Sequence, residues 1–380
     1  MWKIPLFDLN YDAQEFDAVA QVLKSKWLSA GEKTAEFEKN FSNYLGEGVH
    51  CCAVSNGTAA LHLALLSQNI GPGDEVIISG LTFVADLNVV TLTGAKPVLA
   101  DIKSLDDWNV DPRDIEKKIN KKTKAVIVVH YAGWPCDMDE IQALCKENGV
   151  VLIEDAAHAP GAEYKNRKCG TLGDIGCFSF FSNKNLSTGE GGMVTSRDLD
   201  LIQKVKLMRS HGMTSMTIDR HRGKSISYDV VTPGLNYRID EIKSALGIVQ
   251  LKKLENANAI RRKLSQEYIE RIESLEPISI PWNKTLTDRI SSAHIFPILL
   301  SKKADRIDFI MNLKAQKIQT SIHYPAFKTF SYYRNIINQD LPKACEVSDR
   351  MVTLPLFPSL SVGKIEFICD TVIDYFQTLP

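Results

Sequence analysis

Residues 124–155 read KAVIVVHYAGWPCDMDEIQALCKENGVVLIED. Two apolar runs, Lys124–His130 and Val150–Glu154, flank an amphipathic segment, Asp137–Asn148. The runs are rich in β-branched residues and hardly alternate with polar ones, which is the pattern of strands covered on both faces of a sheet. The segment between them is long enough for the crossover helix that parallel neighbours need. The same texture extends outward through Val49–Ser55, Glu75–Ser79, Lys96–Asp101, Gly176–Phe181 and Gly192–Ser196, with a second amphipathic segment at Thr58–Gln68. This alternation predicts an α/β fold with a mostly parallel seven-stranded sheet flanked by helices.

Beyond the alternating region, Asp240–Ser274 predicts one long helix, weakened only at Gly247, which costs about 1 kcal/mol relative to alanine. Pro277, Pro281 and the polar run Asn283–Asp288 punctuate its end. A strand at His294–Leu300 and a helix at Asp305–Gln316 then predict a smaller C-terminal α+β domain. The expected division is a large domain over residues 1–250, including an N-terminal arm, and a small one over 251–380.

The 380 residues carry 45 basic and 46 acidic side chains, a formal net charge of -1. No global basic field draws such a chain to nucleic acid or anionic lipid. Its first ten residues lack the apolar run of a signal peptide, and no uncharged stretch of membrane-spanning length follows, so a cytoplasmic protein is expected. The eight cysteines and eight histidines show neither Cys-x-x-Cys nor His-Glu-x-x-His spacing, and no metal is expected.

Four segments fall at strand ends, where open α/β sheets bind ligands. In Ser55-Asn-Gly57-Thr58-Ala-Ala-Leu61 a strand turns into a helix whose first N–H groups could cradle a phosphate. The same turn also reads as an ordinary Asn-Gly corner with Thr58 as helix cap. In Leu152-Ile-Glu-Asp155-Ala-Ala-His158, the poorly solvated Asp155 needs a cationic partner, which a protonated heterocyclic nitrogen or a structural ion pair would supply. His158 could face the same ligand or fill the core. Lys184 lies between the aromatic run Phe178–Phe181 and Gly189-Glu-Gly-Gly192, a setting that lowers an amine's pKa and makes it a nucleophile. Ser179 and Ser182 add hydroxyls. The fourth segment, Pro233-Gly-Leu-Asn236-Tyr-Arg238-Ile-Asp240, offers a phosphate donor in Asn236, a carboxylate fork in Arg238, and a helix cap in Asp240. A phosphate cradle, a carboxylate for a pyridinium and an amine for an aldehyde are the three handles of pyridoxal phosphate.

Glu154-Asp-Ala-Ala-His-Ala, Cys177-Phe-Ser-Phe-Phe-Ser-Asn-Lys-Asn-Leu, Glu190-Gly-Gly-Met and Gly234-Leu-Asn-Tyr-Arg resemble the DegT/DnrJ/EryC1/StrS family of sugar aminotransferases, from about Leu6 to Leu360. The resemblance implies the type I fold of pyridoxal phosphate enzymes, with Lys184 bonded to the cofactor's aldehyde and Asp155 paired with its ring nitrogen. It puts Gly57, Thr58 and Ser179 on the phosphate, His158 near the phenolic oxygen and Phe83 stacked on the ring. It implies that Asn236 reaches the phosphate in the neighbouring subunit of a homodimer with shared active sites. Relatives that dehydrate sugars carry histidine at position 184, so the lysine implies amine transfer. Glutamate is the family's usual donor, and a nucleotide-linked keto-sugar its acceptor. His158 stands where glutamine is common, a variation associated with amination at C4, here of a 4-keto-6-deoxyhexose. Asp86 stands where a small hydroxyl residue is usual, and Lys328 near where a second histidine follows His323. Asp86, His323, Arg238 and the basic Met213–Tyr228 loop are candidates for substrate contacts. Amination at C3, a keto-cyclitol acceptor, and a cofactor-binding regulator without turnover remain open alternatives.

Overall fold

The computed structural model describes residues 2–215, 223, 225–283 and 287–377. The expected basic residues Arg220, His221, Arg222 and Lys224 lie outside them. The chain opens with helices α1 (Ala13–Ser25) and α2 (Glu32–Leu45), then alternates strands and helices. In order these are β1 (His50–Val54), α3 (Gly57–Ser67), β2 (Glu75–Ser79), α4 (Val84–Leu92), β3 (Lys96–Ala100), α5 (Pro112–Lys118), β4 (Thr123–Val129), α6 (Met138–Asn148) and β5 (Val151–Asp155). A short hairpin, β6 (Glu163–Tyr164) and β7 (Arg167–Lys168), leads to β8 (Ile175–Ser179), β9 (Gly192–Ser196) and α7 (Leu199–Met208).

The main sheet has seven strands in the order β1-β9-β8-β5-β4-β2-β3, and only β9 runs antiparallel to its neighbours. These are the seven runs expected from the sequence, with ends shifted by one or two residues. Their continuous apolar character has a direct cause. Along β4, Ala125 and Ile127 enter one apolar cluster while Val126 and Val128 enter another on the opposite face. Along β1, Cys52 and Val54 alternate in the same way with Cys51 and Ala53. Both faces are dry, so both sets of alternating side chains must be apolar.

The long helix α8 (Glu241–Ile272) is capped by Asp240, whose side chain accepts from the Lys243 N–H at 2.9 Å. Gly247 has a packing reason: a Cβ there would meet the Phe37 ring at 2.5 Å. The propensity lost at Gly247 allows α8 to approach α2 closely. The helix runs unbroken past residue 250, and its second half contributes Leu264, Tyr268 and Ile272 to a third apolar cluster.

That cluster lies against an antiparallel sheet of β10 (Ile278–Ser279), β12 (Phe296–Leu300) and β13 (Met351–Leu354). It also takes in α9 (Arg306–Ala315) and α11 (Val362–Gln377), while α10 (Pro342–Arg350) feeds into β13. Ile4 joins it too, through a bridge to Ile318. Strand β11 (Arg289–Ile290) pairs with β6 and ties this C-terminal part to the large sheet's side of the molecule. Among the described residues no helix is long and apolar enough to cross a membrane.

Candidate active site

The parallel strands β5 and β8 end at the wall of a cavity of about 640 Å³. Gly57, Thr58, Phe83, Asp155, His158, Ser179, Lys184 and His323 all line it. Asp86, Asn236 and Arg238 do not.

Helix α3 enters the cavity by its N-terminus. Its cap is Asn56, whose side chain accepts from the Ala59 N–H at 2.8 Å, so Thr58 is not the cap. Thr58 is exposed, and the N–H groups of Gly57 and Thr58 fall in the first turn, where a helix offers no acceptor. Two glycines make this corner possible. A Cβ at Gly57 would lie 2.8 Å from the Ser179 Cβ, and one at Gly192 would lie 2.5 Å from the Asn56 carbonyl oxygen. The ends of β8 and β9 thus press directly on the turn, with the Ser179 hydroxyl beside the free N–H groups. Dipole, donors and hydroxyl together form a cradle for a phosphate.

Asp155 ends β5 and accepts from the Ala157 N–H at 2.9 Å. Burial pushes its carboxyl up, while that N–H and the charges of Lys184 and His130 pull it back down. Lys184 is half-buried, and the surface it keeps faces the cavity. It therefore does not snorkel to bulk water. Burial brings its amine down to about 8, against the opposing pull of Asp155. Around it stand His158, whose Nε2 is 2.8 Å from the Tyr324 hydroxyl, and His323, whose Nδ1 is 2.9 Å from Thr353 Oγ1. Burial, then Lys184 and His323, hold His158 well below the usual imidazole range, and burial lowers His323 to about 4. All these histidines stay neutral at pH 7. Phe83 is exposed to the cavity, its ring centroid 5.4 Å from that of Tyr324.

Two residues at the site carried no usable sequence signal. His294, just ahead of β12, places Nε2 3.5 Å from Lys184 Nζ, and Tyr324 reaches His158 from the C-terminal part. His294 follows Ser291-Ser292-Ala293 and Tyr324 follows His323, and neither lies at a strand end of the main sheet, so each reads in sequence as a satisfied core or loop residue.

The remaining candidates sit apart. Asn236 is exposed and bridged through its backbone to Ser210. Arg238 is half-buried and bridged to Val54, with Nη1 buried and unpartnered among the described residues. Lys328 is exposed and lines a separate cleft with Gly80 and Leu341. His130, Glu154 and Cys169 lie close enough together to suggest a metal. However, Glu154 already accepts from His130 and from the N–H groups of Gly170, Leu172 and Gly173, and His130 Nδ1 accepts from Cys136. The group is a buried hydrogen-bonded buckle.

Asp86 is fully buried, accepts from Thr82 Oγ1 at 2.6 Å, and leaves Oδ1 without a partner among the described residues. Burial and the nearby Asp155 raise it well above the carboxylate range, so it stays protonated. The unfolded chain releases that proton at ordinary carboxylate pH while the folded chain holds it, so this residue costs stability as pH rises. Asp86→Asn, shaped like the protonated acid, is expected to match wild type in acid and exceed it increasingly above pH 5. A gain of about 1–3 kcal/mol, a few degrees in Tm, fits the cost of a buried polar mismatch. Melting curves of both proteins across pH that run parallel would rule this out.

The cavity suits a molecule with a phosphate, a protonated ring nitrogen and an aldehyde: it offers free N–H groups at one end, a buried carboxylate on its wall and an amine lowered to about 8 beside them. Such a site in this fold defines a pyridoxal phosphate-dependent aminotransferase. The chain belongs to the DegT/DnrJ/EryC1/StrS aminotransferase family, whose sequence model matches residues 10–373. It is 37% identical over 369 residues to the spore coat polysaccharide biosynthesis protein SpsC of Bacillus subtilis, covering 95% of this chain and 94% of that one. The crystal structure of DesV from S. venezuelae, in complex with a ketimine intermediate, superposes with a TM-score of 0.91 at 31% identity, covering 100% of both chains. The PLP-form of Spr1654, a putative sugar aminotransferase from Streptococcus pneumoniae, gives 0.88 at 29% identity, covering 98% of this chain and 97% of that one.

Proposed function

We propose that this chain transfers an amine from glutamate to the keto group of a nucleotide-linked sugar, a 4-keto-6-deoxyhexose, for amino-sugar biosynthesis. The meeting of the α3 first turn, Asp155 and Lys184 around one cavity carries the reading. The names of SpsC and Spr1654 support a sugar as acceptor, and His158 at its position supports C4.

Pyridoxal phosphate bound here supplies an aldehyde for amine exchange and a ring that takes up electrons from the substrate carbon. Gly57, Thr58 and Ser179 would hold its phosphate, Asp155 would keep the ring nitrogen protonated, and Phe83 would pack against the ring. His158, held neutral and oriented by Tyr324, would serve the phenolic oxygen. Lys184 would hold the cofactor through its aldehyde, and its amine would carry the proton at the substrate carbon as base and acid.

Asn236, exposed and outside its own cavity, is assigned to the phosphate of a partner subunit, making a homodimer the working unit. Arg238 is assigned to the donor carboxylate and His323 to the sugar. Asp86 acts on the substrate only indirectly, from behind the cavity wall. We place the boundary between the two domains near residue 250, a reading supported by α8 joining the third cluster only in its second half. A cytoplasmic location fits eight unpaired cysteines, seven of them buried.

The test incubates the protein with glutamate and a panel of nucleotide-linked keto-sugars, read by mass spectrometry. Amination of a 4-keto-6-deoxy member with release of 2-oxoglutarate is expected. Exclusive amination of a 3-keto sugar or a keto-cyclitol would replace the acceptor. Cofactor binding without any transfer would favour the regulator.

A further inference from the structure

Among the described residues, Lys184 Nζ has one hydrogen-bond neighbour, His294 Nε2 at 3.5 Å, and the other face of that imidazole is held by a chain of buried amides. Asn258 Nδ2 donates to the Pro160 carbonyl at 2.8 Å, an acceptor only, so Asn258 Oδ1 must point the other way. That oxygen takes a hydrogen from Asn185 Nδ2 at 2.8 Å, and the same Asn185 nitrogen donates to the Ser292 carbonyl at 2.8 Å. Both Asn185 hydrogens are committed, so its Oδ1 faces His294 Nδ1 at 2.8 Å and can only accept. Two backbone carbonyls thereby settle both amide orientations without appeal to convention. The proton of His294 is on Nδ1, and its Nε2 presents a bare lone pair to the lysine.

We propose that His294 is a positioning residue for Lys184: its tautomer, locked by Asn185 and Asn258, makes it accept an N–H from the amine and leaves the amine's own lone pair free to react. The opposite tautomer would place N–H on Nε2, donate it to the lysine nitrogen, and occupy the lone pair the chemistry needs. A charged imidazole would do the same and repel the ammonium. Burial, followed by His158, Lys184, Arg261 and His323, keeps His294 far below its usual range, consistent with the neutral form. The lock is itself tightly built. Asn258 and His294 are buried, and a Cβ at Gly161 would sit 2.5 Å from Asn258 Nδ2, so glycine is what lets the loop reach this amide.

The proposal rests on Lys184 being the reactive amine, but its test does not. Nitrogen NMR of the full chain with 15N-labelled histidine should show His294, assigned by its absence in His294→Gln, with hydrogen on Nδ1 and none on Nε2 at neutral pH. Hydrogen on Nε2, or on both nitrogens, overturns the proposal. In Asn185→Leu the lock is gone, and the Nε2–H form should appear. Trace acetylation of Lys184 by acetic anhydride should then slow roughly tenfold to a hundredfold, as losing an orienting neighbour commonly does, with other lysines unaffected. An unchanged Lys184 rate would overturn it, since a merely structural histidine predicts no change. If that variant does not fold, the tautomer in the unaltered protein still decides. Failure of borohydride to fix the cofactor on Lys184 would instead strike at the functional reading.

Discussion

Lys184→Ala is expected to fold, to bind pyridoxal phosphate without a covalent link, and to lose at least about 10²–10⁴-fold in amine transfer, the range that a positioned acid–base group contributes. The loss has two separable parts. Without the amine there is no bond for borohydride to fix, which mass spectrometry of the reduced protein reads directly. There is also no group to move the proton at the substrate carbon, which single-turnover rates read. Lys184→Arg is the sharper control. Arginine keeps the charge and much of the stem but cannot deprotonate in a protein, so it should be as inactive as alanine. Rescue by arginine would mean that the lysine acts only by its charge. The amine's value of about 8 adds a pH signature: cofactor capture should rise through pH 8, from about a tenth of the amine neutral at pH 7 to about nine tenths at pH 9. A flat profile would show that the cavity does not hold the amine as described.

The seven strands of the main sheet were legible because a sheet dry on both faces writes its burial into consecutive residues. Lys184, Asp155, Gly57 and Ser179 were legible as neighbours around one cavity because each lies at or just beyond a strand end. The order of the strands was not legible. Nothing in Gly192–Ser196 announces that β9 alone runs antiparallel, between β1 and β8. His294 and Tyr324 were missed because they lie 110 or more residues beyond Lys184, on the C-terminal part, and only tertiary contact brings them to it. Gly247 was read as a weak point in a helix, since the Phe37 ring that fills its missing Cβ lies on α2, over 200 residues earlier.

Asp155→Asn is expected to separate what the carboxylate does for the fold from what it does for the chemistry. The amide oxygen can still accept from the Ala157 N–H, so the end of β5 should keep its shape. The negative charge is lost, and with it the partner of a protonated ring nitrogen. Removing one member of a buried charge pair costs about 3–5 kcal/mol, roughly two to four orders of magnitude in rate. The cofactor-free protein should move the other way. There the carboxylate is buried and only partly compensated, as its upward shift records, so the neutral amide should raise Tm at neutral pH. The two effects should therefore cross: greater stability without cofactor, and less stabilisation on adding it. Lys184 provides an internal check, because Asp155 is the charge that holds its amine up against burial. In Asp155→Asn the midpoint for cofactor capture should fall below pH 8. A midpoint that stays at 8 would mean that the two groups do not face one another across the cavity, and the assignment of the ring nitrogen to Asp155 would fail with it.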